Sequence, residues 1–196
     1  MKKLNCLIAQ SFNRCRAYTL VEIMIAMVVL VLGLIPLVKL IGDSLVATSD
    51  LGSRSVANEL AQDLLEEIKQ RKWDENAGAD GLTAAGALSA IGLDGETATN
   101  KTTFDDIDDY NALQGANAEN PPKDASNTAM AQYSKFTRSV RVRYKTYNAN
   151  GTFSDYGGGA PYTDYKEITV TVSWTSGGGK TREVIHQTIM ANIARR

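Results

Sequence analysis

No Asp or Glu occurs in this 196-residue chain before Glu22, although the same stretch holds Lys2, Lys3, Arg14 and Arg16. Cysteine is almost missing too, and both copies, Cys6 and Cys15, lie in that opening stretch. The remainder can therefore form no internal disulfide and offers no thiol nucleophile. A lipoprotein signal places its Cys directly after an apolar run; here both precede one, which excludes lipidation of that kind. The single histidine, His186, excludes any metal cluster or catalytic triad needing more than one. Glycine is present as triplets, Gly157-Gly158-Gly159 and Gly177-Gly178-Gly179, but neither is followed by a helical pattern, so they read as turns and not as phosphate cradles. Nothing in the chain reads as an enzyme.

What is present begins with charge. The net charge is −1. Residues 1–17 contribute +4, so the remainder carries −5, which argues against general electrostatic binding of nucleic acid. An uncharged apolar run follows at residues 23–38, interrupted only by Gly33 and Pro36. With Leu20 and Val21 it approaches the roughly 20 residues needed to span a bilayer. Glu22 stands at its start, where an ionised carboxylate is costly and calls for a positive partner. An ordinary secretory signal would need small residues just past the run. Gly42-Asp43-Ser44-Leu45-Val46-Ala47 puts Leu45 where a small residue is wanted.

The sequence Arg16-Ala17-Tyr18-Thr19-Leu20-Val21-Glu22 with its apolar continuation resembles the N-terminus of type IV prepilins and pseudopilins. That family usually reads Gly, then Phe-Thr-Leu-Ile-Glu, so Ala17 in place of Gly is the main departure. The resemblance implies a basic leader cut by a prepilin peptidase between Ala17 and Tyr18, and N-methylation of Tyr18. It also implies assembly with other pilin or pseudopilin subunits through an inner-membrane platform. Glu22 then becomes the fifth residue of the mature chain, paired with a neighbour's terminal amine, and Thr19 belongs to the same assembly motif.

Periodicity divides the remainder. A helix is expected from Thr19 to about Trp73, as a membrane or filament-core half at 18–44 and an amphipathic half at 45–73. In the second half Leu45, Val56, Leu60, Leu64 and Ile68 recur at helical spacing. Gly33 and Pro36 are expected hinge points, since Pro36 removes a helical hydrogen bond. Residues 74–132 lack periodicity and read as a variable connection, with a short helix around Thr83 to Ala90. From Tyr133 the period becomes two: Phe136, Val140, Val142 and Tyr144 share one face, and Arg138 should join them. A second strand puts Ile168, Val170, Val172 and Trp174 inward. A turn at Ser176–Lys180 and a third strand to Asn192 follow, with a Gly- and Tyr-rich loop at 148–165 between the first two strands. The expected class is α+β: a long N-terminal helix packed on a C-terminal antiparallel sheet at 133–196.

Asp105-Asp106-Ile107-Asp108-Asp109 is the densest acidic cluster. Asp105, Asp106, Asp108 and Asp109 form a weak Ca²⁺ candidate without EF-hand spacing or its glycine, and a solvated acidic loop is the commoner outcome. Arg138, Arg141, Arg143 and Lys145 make a basic strand that reads as a solvated or subunit-contact face before a DNA-binding one. The phrase around Tyr110, the helix near Gln62 to Ile68 and the Ile168–Trp174 strand resemble PilV- and MSHA-type minor pilins and GspI-like minor pseudopilins. The resulting expectation is a minor subunit of a type IV pilus or type II secretion pseudopilus. The alternative is a single-pass inner-membrane protein with a periplasmic binding domain, or a tip adhesin or DNA receptor.

Overall fold

The computed structural model describes residues 19–79, 81–84 and 87–192. Helix α1 (Leu20–Lys69) is followed by four strands: β1 (Phe136–Tyr147), β2 (Phe153–Asp155), β3 (Tyr165–Thr175) and β4 (Thr181–Ala191). The strands form one antiparallel sheet in the order β2-β1-β3-β4. The chain divides into two compact units between Leu45 and Val46.

In the first unit, α1 is apolar on all sides, and every described residue, 19 to 45, is exposed. The helix continues through Gly33, Pro36 and Gly42, although Pro36 has no N–H to give to the preceding turn. The helix is long and apolar enough to cross a membrane, with a mean hydropathy of 2.8 over its most apolar window, none of it buried.

In the second unit, α1 buries a stripe: Ser53, Ala57, Leu60, Ala61, Leu64, Leu65 and Ile68. These spacings of three and four keep one face turned to the sheet. Leu45, expected on that face, is instead 67% exposed. The helix ends at Lys69, short of Trp73, because the next backbone groups are claimed elsewhere: Lys72 pairs with the 105–107 backbone, and Trp73 N–H donates to Gly81. From the sheet, Phe136, Val140, Val142, Ile168, Val170, Val172, Trp174 and Val184 complete the core. Burying each large aliphatic side chain contributes about 1.5–3 kcal/mol.

β1 alternates as expected, and Arg138 lies on its buried face. β2 was not expected. Residues 148–155 close a small hairpin, in which Asn148 and Thr152 pair around Gly151 at φ +82°, and Lys145–Tyr147 align with Phe153–Asp155. Ser176 and Lys180 close the β3–β4 turn, with Gly179 at φ +72°.

The connection between α1 and the sheet departs most from expectation. No described residue of 83–90 is helical. Side chains take up the backbone there: Asp74 accepts from the Ser89 N–H, Asn76 donates to the Ala87 carbonyl, and Asn192 bonds both Thr83 N–H and Thr83 O. Short 3-10 turns occur at Lys101–Thr103, Asp108–Ala112, Gly115–Asn117 and Ala131–Tyr133. Phe104, Ile107, Tyr110 and Leu113 from this segment enter the core.

Candidate functional site

Two places carry unusual chemistry. The first is the start of α1. Thr19 caps the helix: its Oγ1 accepts from the Glu22 N–H at 3.3 Å, and its carbonyl accepts the same N–H at 3.0 Å. Glu22 follows at the third helical position, so Thr19-Leu20-Val21-Glu22 has the spacing of a capping box, a signal the sequence carried. A carboxylate in the first turn is favoured by the helix dipole. Glu22 is exposed, surrounded by exposed Ile23, Met27 and Leu30. Ala17 and Tyr18 lie outside the described residues.

The second place is the ionic interior of the second unit, where two clusters stand under the sheet. In one, Arg138 on β1 meets Glu119 at 2.6 Å and bonds the carbonyls of Leu60 and Lys123. Lys101 joins Glu67 at 3.1 Å and Glu119 at 3.3 Å. Tyr110 donates to Glu67 at 2.8 Å. Two cations and two carboxylates thus tie helix, connection and sheet together.

The other cluster contains the acidic segment, which is not a solvated loop. Asp106, Asp108 and Asp109 are buried, because their carboxylates organise the turn around them. Asp109 Oδ2 accepts from the Asp105 and Asp106 N–H groups, and Asp106 Oδ1 from those of Asp108 and Asp109. Lys166 on β3 reaches Asp108 Oδ1 at 2.7 Å, the Trp73 carbonyl at 2.6 Å and Asp74 at 3.6 Å. Burial raises the carboxyl of Asp108 to about 8 against the pull of Lys166. It raises Asp109 to about 7, helped by the charge of Asp106, and raises Asp106 as well.

Lys166 and Lys101 were missed as core residues. Lys166 shares its strand phase with Ile168, Val170 and Val172, so the alternation itself pointed to it. Lys101 lies in the aperiodic segment and left no such signal.

The four acidic candidates do not act as one set. Glu75 with Asp105 and Asp106, and Glu96 with Asp105 and Asp109, bring carboxylate oxygens within 4.8 Å of one another. Asp108 instead faces Lys166. These two trios are where a hard cation would find oxygen ligands.

The basic strand is largely neutralised. Arg143 and Lys145 share Glu167 at 2.8 Å each, Lys145 also meets Asp155, and Arg138 is buried, leaving Arg141 exposed. His186 is a packing residue whose Nε2 lies 3.1 Å from Asn58 Oδ1.

A family model described as the prokaryotic N-terminal methylation motif matches residues 12–38. The protein is type IV pilin-like. The match takes in Arg14, Arg16, Glu22 and the apolar run, and the remainder supplies the helix-on-sheet architecture. No curated protein and no solved structure matches the chain.

Proposed function

We propose that the protein is a minor structural subunit of a type IV pilus or a type II secretion pseudopilus. In this reading a prepilin peptidase cuts between Ala17 and Tyr18, and the new amine of Tyr18 is methylated. The chain waits in the inner membrane with its C-terminal unit in the periplasm, then joins other pilin or pseudopilin subunits at an assembly platform. The observation that carries this is the placement of Glu22: an exposed carboxylate in the first turn of an exposed apolar helix. Buried among neighbouring helices, that charge would be strongly unfavourable alone and favourable opposite an α-amine. Thr19 fixes the turn that presents it. Gly33 and Pro36 are the points where the helix would open during extraction from the bilayer, since Pro36 has no N–H to give and glycine is a poor helix former.

The test is N-terminal fragmentation of the protein purified from its native membrane. A chain beginning at N-methylated Tyr18 supports the filament reading. A chain retaining residues 1–17 would favour the single-pass anchored protein, whose periplasmic unit binds a ligand without joining a filament.

A further inference from the structure

The Lys166 site differs from the Lys101 site in one chemical respect. At the Lys101 cluster two cations face two carboxylates. At Lys166 one amine faces three acidic side chains, Asp74, Asp106 and Asp108, and Lys166, Asp74 and Asp108 are fully buried. Two of the three acids have other donors. Asp74 accepts from the N–H groups of Asn76 and Ser89 and from the Tyr144 hydroxyl. Asp106 accepts from the Asp108 and Asp109 N–H groups.

Asp108 accepts from Lys166 at Oδ1 and lies against the Asp106 carboxyl. Asp108 Oδ2 is buried and finds no donor among the described residues. Asp106 beside it is itself an acceptor, so only a proton shared between the two acids would make that contact a bond. A bare carboxylate oxygen in a dry site is costly. The Trp73 and Tyr144 rings stand 5.0 and 5.3 Å from Nζ.

We infer that Lys166 and Asp108 are joined by an intramolecular amide bond. Nζ already lies 2.7 Å from Oδ1, with β3 and the Asp108–Ala112 turn fixing both partners, so the reaction is unimolecular between groups held in contact. The ammonium of Lys166 first yields a proton, and Asp74, 3.6 Å away, is placed to take it. The nitrogen lone pair then attacks the carboxyl carbon of Asp108. A C–N bond forms, the bond from that carbon to Oδ2 breaks, and the oxygen leaves as water with the carboxyl's own proton and one from the nitrogen. Amine plus carboxylic acid give amide plus water, and the ammonium's extra proton stays on Asp74, so atoms and charge balance and no co-reactant is needed. The unpartnered oxygen is the one expelled. The bond would staple the connecting segment to the sheet in a chain with no cysteine after Cys15, whether or not the chain enters a filament.

The experiment is tryptic peptide mapping of the full-length protein, purified folded, then denatured, reduced and digested. The expected result is a branched peptide joining the Asp108 and Lys166 segments, one water lighter than their sum, with no cleavage after Lys166. The Lys166→Arg chain, which keeps the charge but cannot condense, should show the unmodified sequence mass. Asp74→Asn should retain the water while keeping Lys166 buried. Separate linear peptides from wild type, with a Lys166 amine that acetylates freely once denatured, would overturn the proposal and leave a permanent ion pair.

Discussion

The two stretches of α1 share one secondary structure and opposite surroundings. Residues 19–49 expose every side chain, while Ser53 to Ile68 bury seven. Both are α-helix, so secondary structure does not decide where a helix can reside. The side-chain pattern does. Apolar residues on all sides require an apolar medium outside the chain, whether lipid or other helices. A stripe three or four residues apart requires only the molecule's own sheet. Glu22 belongs to the stretch that must find its partner elsewhere. Glu67 belongs to the stretch whose partners, Lys101 and Tyr110, are supplied within the fold.

The sharpest way to break this contrast is at Glu22. Glu22→Ala should abolish incorporation into the filament, read as loss of the subunit from sheared or crosslinked filament fractions. Glu22→Asp should be less severe. Thermal unfolding of the second unit should not move for either. Normal incorporation of Glu22→Ala would sink the pairing mechanism.

A matched pair of leucines probes stability. Leu64 is fully buried and Leu30 is 62% exposed. Leu64→Ala should cost about 2–5 kcal/mol, through lost burial and the cavity left behind. Leu30→Ala should leave the denaturant midpoint of the second unit within about 0.5 kcal/mol of wild type. Equal losses would show that the first stretch is packed against the same core.

Much of this division was legible in the residues. The 3.6-residue period located Leu60, Leu64 and Ile68, and the two-residue period located β1 and β3 with Arg138 on the inner face. Leu45 misled because an apolar residue at helical spacing does not reveal whether anything lies opposite it. The connecting segment was opaque for a different reason. Its order depends on partners remote in sequence, Tyr110 with Glu67 and Asp108 with Lys166, and local pattern carries no trace of such pairs. The run of aspartates therefore read as solvated, when its carboxylates are consumed by backbone N–H groups and a buried lysine. β2 was hidden inside a glycine-rich loop because three residues are too few to show a period.

Those buried acids give a smaller effect with an unusual sign. Asp109 and Asp108 have folded values of about 7 and about 8, raised from 3.8. Between the unfolded and folded values the native state holds protons that the unfolded chain has released, so stability falls as pH rises through that window. Burial pushes Glu167 up but Lys145 and Arg143 outweigh it and hold it low, and the same two cations lower Asp155; these acids act oppositely, and their contribution is lost only in stronger acid. The melting temperature should therefore be higher at pH 6 than at pH 8.5. An amide at Asp108 would remove its share and leave that of Asp109. A melting temperature that is flat or rising across this range would show that these acids are ionised in the fold.

The smallest expected effect separates two roles of the first turn. Thr19 caps the helix through the Glu22 N–H. Removing such a cap costs about 0.5–2 kcal/mol, locally at the helix end. If Glu22 served mainly to complete the capping box, Glu22→Gln should assemble close to wild type, because glutamine also fits that box, and Thr19→Ala should be the weaker of the two. If its charge pairs with an α-amine, Glu22→Gln should fail nearly as completely as alanine, while Thr19→Ala assembles at a modestly reduced level. Incorporation measured for the two variants side by side therefore reads charge apart from helix geometry at residues three positions apart.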